Sequence, residues 1–144
     1  MPAPVVPVVT RALEPFFAAA KEGRLVVQRC VSCGTLRFPP RSLCSSCLST
    51  EREWTAVSGR GEVFSFFWMH QVYHPAFADE VPYAVAVVRL EEGPRMTTNI
   101  RSCPKEELRI GLPVEVVFEQ RGDLHLPQFR PRRSGSPTAP PPGA

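Results

Sequence analysis

The sequence lacks both a membrane-spanning segment and the opening of a secreted protein. Its 144 residues contain no apolar run of about 18. Residues 1–15, MPAPVVPVVTRALEP, do not have the basic-then-apolar order of a secretory signal. We therefore expect a cytoplasmic protein with no membrane contact. Thiols stay reduced in that compartment, so spaced cysteines indicate metal or redox chemistry rather than disulfides.

Also missing is a credible set of catalytic side chains. Among the three histidines, His70 and His74 stand four residues apart in a strand-like stretch that Pro75 breaks. We interpret both as structural or interface residues, with ligand contact as the alternative. Cys103 has no base beside it and is expected to be a small buried residue. Because no nucleophile, base and orienting group come together, we predict that the chain is not an enzyme.

Proline, by contrast, is abundant, with 17 residues, and forms a cluster at each end of the chain. Residues 1–11 and 132–144 offer no apolar periodicity to bury and are predicted to be disordered, with no role in the fold. Between them we place two units. A helix and a metal-binding unit occupy residues 12–56, and a β-barrel occupies residues 57–131.

The metal-binding unit is predicted from two Cys-x-x-Cys pairs, Cys30–Cys33 and Cys44–Cys47, in CVSCGTLRFPPRSLCSSC. Zinc favours four tetrahedral ligands, and two cysteine turns on neighbouring hairpins supply them. Gly34 provides flexible backbone after the first pair. We predict a structural Zn²⁺ site with no open coordination position. Iron is the alternative, whereas a thioredoxin-like redox role lacks the strand–helix context that it needs.

Patterns along the rest of the chain predict a mainly β protein. A short helix over 12–22 carries Phe16 and Phe17 and ends near Gly23. Five strands follow the cysteines, in GEVFSFFWMHQVYH, PYAVAVVRL, RMTTNI, PVEVVFEQ and LHLPQF. A second short helix over 102–111 is predicted between the third and fourth strands. This order is that of a five-stranded OB-fold barrel; an SH3-like barrel, which lacks that helix, is the alternative.

The first of these strands is apolar on both faces. Strand alternation gives two rows; one is Phe64, Phe66, Trp68 and His70, and the other is Val63, Phe67, Met69 and Tyr73. A small barrel buries one face of a strand, so the second face is predicted to be a docking surface unless the N-terminal helix and the cysteine unit cover it. The predicted partner contacts are Phe66, Phe67, Trp68, Met69, His70, Tyr73, His74 and Phe77.

Taken together, these segments resemble domain-of-unknown-function family 35. The resemblance is carried by GRLVVQRCVSCG, FPPRSLCSSC, SGRGEVFSF, PYAVAVVRLEEG and LPQFRP, and it covers about residues 12–131. It implies a rubredoxin-like zinc ribbon joined to an acyl-CoA-associated OB-fold. All four zinc cysteines are present here, so the resemblance implies the metal as well.

The resemblance also implies an accessory subunit. Members pair with thiolase-superfamily enzymes, among them thiolases, synthases and thiolase-like aldolases that act on CoA esters of steroid side chains. Some members are fused to a MaoC-like hydratase or belong to its partner subunit. We expect this chain to bind such an enzyme, stabilise it and shape or channel substrate to its acyl-CoA site. The alternative is that the chain binds acyl-CoA itself, with Arg37, Arg41 and Arg60 contacting the CoA phosphates.

A further alternative is a protein that binds single-stranded nucleic acid, since OB-folds stack bases on aromatic strands. Nucleic-acid grooves are basic because phosphate neutralisation dominates affinity. Residues 1–60 carry eight Lys and Arg against four Asp and Glu, but residues 61–130 carry seven against ten. The aromatic strand has no Lys or Arg between Glu62 and Asp79. We expect no nucleic-acid partner.

Overall fold

The computed structural model describes residues 3–133 and confirms the mainly β fold. Its elements are α1 Glu14–Lys21, β1 Val26–Cys30, β2 Leu36–Arg37, β3 Arg52–Ala56, β4 Arg60–Met69, a 3-10 turn Pro75–Phe77, β5 Tyr83–Leu90, β6 Arg95–Ile100, β7 Pro113–Arg121 and β8 Leu124–Pro131. None of the helices in this part of the chain has the length and apolar character needed to cross a membrane.

Both proline-rich ends were predicted to be disordered. Residues 3–10 have no regular secondary structure, and disorder over 1–11 stays a prediction. The prediction for residues 132–144 lies almost wholly outside the described residues, which end at Arg133.

The cysteine-bearing unit is a three-stranded antiparallel sheet in the order β2–β1–β3. Gln28 lies at its centre, opposite Arg37 on one side and Trp54 on the other. The buried side-chain oxygen of Gln28 accepts hydrogen bonds from Arg37 Nε at 2.9 Å and from the backbone N–H of Arg41 at 2.8 Å. Because a buried amide must be paired, Gln28 fixes the chain that leads from β2 to the second cysteine pair.

The five later strands close into a barrel in the order β4–β5–β6–β8–β7. Neighbouring strands are antiparallel except β6 and β8, which meet in parallel at Ile100 and Phe129. The core is filled by alternate residues of each strand, with Val63, Val88, Val114 and Phe129 fully buried. This arrangement is that of the predicted OB-fold.

Helix α1 joins the sheet and the barrel. It has eight residues, too few for a stable isolated helix, so packing must hold it. The Phe16 ring centre lies 5.5 Å from that of Phe38 and 6.2 Å from that of Trp54, both in the cysteine-bearing unit. On its other side α1 contacts β8 of the barrel. The helix therefore packs against β1 and β8 and is not the cover that the sequence suggested for the aromatic strand.

The helix predicted over 102–111 does not form. Two separate turns are present, closed by the Glu107 N–H donating to the Pro104 carbonyl at 3.0 Å and by the Leu112 N–H donating to the Arg109 carbonyl at 3.2 Å. The N–H of Gly111 donates instead to the carbonyl of Val63 in β4 at 2.8 Å. Each backbone N–H has one hydrogen bond to give, so pairing with β4 takes the place of the last hydrogen bond of the predicted helix.

The alternation predicted for β4 is broken by a bulge. Val63 pairs with Val88, whereas Ser65 pairs with the neighbouring Val87, so Phe64 is the extra residue. An extra residue in a strand shifts the alternation by one. Residues after the bulge therefore point to the opposite face from the one that the alternation before it predicts.

The bulge redistributes the apolar side chains of β4. Phe66 and Trp68 pack against the core on the same side of the strand as Val63. Without the bulge, alternation would place Val63 on the opposite face from Phe66 and Trp68. Phe64 lies outside, with the Arg95 guanidinium 4.0 Å from its ring centre. We predicted that Phe64, Phe66 and Trp68 share one face of the strand. That prediction is wrong for Phe64, because the bulged residue does not follow the alternation of the residues around it.

Candidate metal centre and docking surface

Two matching turns carry the four cysteines. The Gly34 N–H donates to the Cys30 carbonyl at 2.9 Å, and the Leu48 N–H donates to the Cys44 carbonyl at 2.9 Å. Gly34 and Leu48 have φ angles of 77° and 65°, a left-handed conformation that costs a residue with a side chain about 1–2 kcal/mol. The sequence singles out Gly34 but gives no signal for Leu48, because leucine does not favour such a turn.

These turns bring the four sulfur atoms into one cluster, all within 4.8 Å of one another. Cys30 Sγ lies 3.5 Å from Cys47 Sγ, and Cys33 Sγ lies 3.7 Å from Cys44 Sγ. In a tetrahedral site with metal–sulfur bonds of about 2.3 Å, neighbouring sulfurs stand about 3.8 Å apart. The four side chains can therefore hold one tetrahedral metal ion with little rearrangement.

Backbone N–H groups of the turns favour the thiolate form of the two buried cysteines. The pKa of Cys44 is lowered to about 6, and the N–H of Cys47 is the largest cause. The N–H of Cys33 is the main reason that the pKa of Cys30 is lowered. The pKa of Cys47 is raised to about 12, because the neighbouring thiols, Cys30 first, and burial outweigh the opposing N–H of Ser49. Since thiolates bind metals, each turn presents one ready ligand.

A second candidate site lies where β4 ends. Phe67 is 52% exposed and Tyr73 is 75% exposed, and Val72 between them in sequence is exposed as well. Met69 pairs with Tyr83 of β5, whose ring centre lies 6.3 Å from that of Phe77. We refer to this region as the docking surface; its residues are Phe67, Met69, Val72, Tyr73 and Phe77. Exposed apolar residues grouped in this way usually mark a binding surface.

The eight predicted partner contacts divide into three kinds. Phe66 and Trp68 are half-buried and pack against the core. His70 and His74 are exposed, and His74 Nδ1 accepts a hydrogen bond from the Ala76 N–H at 3.1 Å, which caps the 3-10 turn. The remaining four belong to the docking surface; they are Phe67, Met69, Tyr73 and Phe77. Val72 is the member that the sequence did not single out.

A ring of four charges holds the loop after β4 on the barrel. Arg121 contacts Glu80 at 2.9 Å and Glu119 at 2.9 Å, and Arg101 contacts Glu119 at 3.0 Å. The Arg121 guanidinium also lies 5.4 Å from the ring centre of Phe77. The position of Phe77 is thus set by charges from distant parts of the chain. No local sequence pattern identifies them, because Glu80 and Arg121 are 41 residues apart.

The three arginines predicted to contact CoA phosphates have different surroundings. Arg37 is 8% exposed and donates to Gln28 and to the Arg41 carbonyl, the latter at 3.1 Å. Arg60 pairs with Glu91 at 3.0 Å, and the side chain of Arg41 is exposed. Arg37 therefore has a structural role, and phosphate contact by these residues stays a prediction.

Comparisons with known protein families divide the chain into the same two units as the structure, with the boundary within β3. Residues 17–53 match the family model described as the rubredoxin-like zinc ribbon domain of ChsH2. Residues 54–119 match the model described as the C-terminal OB-fold domain of ChsH2. The two matches follow one another without a gap.

Individual relatives have related descriptions. A DUF35 domain-containing scaffold protein of Methanocaldococcus jannaschii is 40% identical over 97 residues, which are 67% of this chain and 68% of that protein. A probable enoyl-CoA hydratase alpha subunit of Thermomonospora curvata is 42% identical over 126 residues, 87% of this chain. The chain spans 39% of that subunit's length.

Among solved structures, a chain of the Ltp2-ChsH2(DUF35) aldolase is 41% identical to this one. The two superimpose with a TM-score of 0.79, and the match covers 88% of this chain and 98% of that chain. At this level of identity and coverage, the two chains share the joined arrangement of ribbon and barrel.

Proposed function

Because the chain belongs to the DUF35 family, with the zinc ribbon and OB-fold domains of ChsH2, we propose that it is a scaffold subunit of a thiolase-like enzyme that acts on acyl-CoA esters. The observation that carries the proposal is the docking surface, where Phe67 and Tyr73 are more than half exposed. The descriptions of relatives as a scaffold protein and as part of an aldolase complex support it.

The physical case for docking comes from the chemistry of the exposed residues. Aromatic residues and methionine are enriched at the centres of protein interfaces, where burial removes their apolar surface from water. A central aromatic anchor typically contributes about 2 kcal/mol or more to binding. Phe67 lies on a barrel strand and Phe77 is held by the charge ring, so both are positioned before a partner arrives.

Zn²⁺ is the ion that we assign to the four cysteines. The all-sulfur donor set, the paired turns and the separations of 3.5 Å and 3.7 Å fit it. Bound there, zinc stabilises the ribbon. A tetrahedral site with four protein ligands has no position left for a substrate, so we assign the carbon–carbon bond chemistry to the partner enzyme and a non-catalytic role to this chain.

The finer assignment concerns the acyl group and a third component. CoA esters of steroid side chains are the substrate class that the sequence resemblance favours. A MaoC-like hydratase is the candidate third component, in line with the description of the Thermomonospora curvata relative as a hydratase alpha subunit. In such an assembly this chain would bring the hydratase and the thiolase-like enzyme together, so that product passes from one to the other.

Co-expression with a thiolase-like protein of the same organism tests the proposal. We expect one complex in gel filtration, and turnover of an acyl-CoA ester by the complex but not by this chain alone. Turnover by the isolated chain would contradict the non-catalytic role. Failure of the chain to associate with any thiolase-like protein of that organism would contradict the scaffold role. Calorimetric titration of the isolated chain with acetyl-CoA and with a steroid side-chain CoA ester separates direct acyl-CoA binding from partner binding.

A further inference from the structure

The outer face of β5 and β6 carries a cavity of about 490 Å³. Val85 of β5 and Thr97 and Asn99 of β6 form its floor, and Phe77 and Leu126 stand at its sides. OB-folds bind extended ligands on their second and third strands and the adjoining loops. In this barrel those strands are β5 and β6, so the cavity occupies the ligand face of the fold.

The charges around this cavity cancel. Arg101 and Arg121 reach it, but Glu80 and Glu119 neutralise them in the charge ring. Nucleic acid requires unneutralised Lys or Arg to replace the counterions of its phosphates. The face is therefore suited to a neutral ligand with apolar groups.

The chain's own N-terminal segment lies across this cavity. Val5, Val6 and Pro7 line its open side. Val5 and Val6 are each 40% exposed, whereas Val8 in the same irregular segment is 83% exposed. In a segment surrounded by solvent, the valines would be exposed to similar extents. The lower exposure of Val5 and Val6 therefore reflects their contact with the barrel.

The seating includes a close approach to the turn between β7 and β8. Val6 Cγ1 lies 3.3 Å from the position that a Cβ atom would take on Gly122. That distance is tighter than an ordinary carbon–carbon contact of about 3.5–4.0 Å. Glycine at position 122 therefore lets Val6 lie directly on the turn at the edge of the ligand face.

Helix α1 guides the segment to this face. The N–H groups of Leu13 and Glu14 donate to the Thr10 carbonyl at 2.8 Å and 3.1 Å, and α1 itself contacts β8. Pro4 and Pro7 fix their own φ angles and favour extended backbone. Both features lower the entropy that is lost when the segment is laid along the barrel.

We propose that the outer face of β5 and β6 is a binding groove for an extended, neutral peptide of valine and proline, and that residues 4–9 are its ligand within this chain. The segment thereby keeps other extended, neutral chains off the ligand face of the barrel. The groove adjoins the docking surface and shares Phe77 with it, but the assignment does not rest on the proposed docking function.

Replacing Val5 and Val6 together with serine tests the groove in the full-length, zinc-loaded chain, and Val8→Ser is the matched control. We expect the double variant to change the amide NMR shifts of groove residues such as Tyr83, Thr97 and Leu126. Val8→Ser should leave these shifts at their wild-type values. Unchanged groove shifts in the double variant, or equal changes in both variants, would overturn the proposal.

A peptide in trans provides the second arm of the experiment. The synthetic peptide APVVPVVT, residues 3–10, is added to the double variant at millimolar concentration, about the effective concentration of a short tether. It should move the groove shifts back toward their wild-type values, whereas APSSPVVT should not. The peptide also distinguishes loss of the groove contact from a general disturbance of the barrel by the two substitutions. Recovery with APVVPVVT supports the groove, and no recovery overturns it.

Discussion

The ribbon and the barrel hold together in different ways. The barrel has a continuous apolar core in which Val63, Val88 and Phe129 are fully buried. The ribbon adds Val26 and Val27 of β1 to that core, but it has a strand of only two residues, β2, and a buried amide, Gln28, at the centre of its sheet. So small a sheet buries too little apolar surface to stand alone. One chain thus combines a metal-dependent unit with one that depends on hydrophobic burial.

The largest effect is expected from removing a metal ligand. Structural zinc sites contribute about 10–16 kcal/mol of apparent binding energy to folding. Cys44→Ala should therefore lower the zinc content well below one ion per chain and expose the amides of residues 26–56 to hydrogen exchange. The strands β5 and β6 should stay protected. Metal analysis and exchange mass spectrometry measure both quantities.

Cys103→Ala is the matched control for that substitution. Cys103 is half-buried beside the barrel core, and burial raises its pKa. The control should keep its zinc and its exchange pattern. A Cys44→Ala chain that keeps one zinc ion would contradict the role of Cys44 as a ligand. A barrel that loses exchange protection together with the ribbon would contradict the claim that only the ribbon depends on the metal.

Truncating a core side chain of the barrel should destabilise the barrel and leave zinc binding by the ribbon unchanged. Phe129 is fully buried and lies opposite Val116 and Ile100. Phe129→Ala is expected to cost about 3–5 kcal/mol of barrel stability through lost burial and the cavity left behind. Urea denaturation measures this loss, and zinc content below the denaturation midpoint should stay at the wild-type value. A zinc-release midpoint that moves to lower urea together with that of the barrel would show that the two units are not separate.

Acidification should weaken the ribbon first. Protons compete with zinc for thiolates, so the apparent zinc affinity falls as the pH falls. In the metal-free chain at neutral pH, Cys47, with a pKa of about 12, keeps its proton, whereas Cys44, with a pKa of about 6, does not. Below about pH 6, zinc must also displace a proton from Cys44, which adds a further factor of about ten per pH unit.

The barrel should hold over the same pH range. The Arg60 guanidinium lowers the pKa of Glu91. This pair therefore stabilises the fold fully above the ordinary glutamate pKa of about 4.3 and loses its effect only as the pH falls through the lowered value. Chelator competition against pH, beside thermal melts of the barrel, measures the two responses. A zinc affinity that does not change with pH would contradict the thiolate assignment.

The smallest effect concerns the turn at Leu48. Its φ of 65° costs a leucine about 1–2 kcal/mol, and the side chain is exposed. Leu48→Gly is therefore expected to strengthen zinc binding by up to about tenfold, as a gain of about 1.4 kcal/mol implies. Leu43→Gly, at a second exposed leucine without a positive φ, is the control and should give no gain. Equal zinc affinities for the two variants would remove the strain argument.

Local signals explain what the sequence predicts well. The spacing of the cysteines and the alternation of Val114 and Val116 in β7 each depend on a few neighbouring residues, and the structure has both the cysteine cluster and the strand. Gly34 is predictable for the same reason, since glycine is the usual residue at a positive φ.

Contacts between distant residues explain what the sequence does not predict. The bulge at Phe64 is defined by pairing with β5, and the helix over 102–111 is lost because β4 takes the N–H of Gly111. In the same way, the charge ring around Arg121 and the seating of Val6 bring together parts of the chain that no local pattern connects. The sequence therefore does not show which apolar residues of β4 enter the core and which are exposed, and partner contact at the exposed ones stays a prediction.

The measurement that tests the scaffold account most directly is a calorimetric titration of the thiolase-like partner with the Phe67→Ser chain. Phe64→Ser is the matched control, because both rings lie exposed on β4 but Phe64 sits at the bulge beneath Arg95. At equal zinc content, we predict that Phe67→Ser weakens binding by at least about tenfold and Phe64→Ser by less than about twofold. Wild-type affinity in the Phe67→Ser chain would contradict docking through the end of β4.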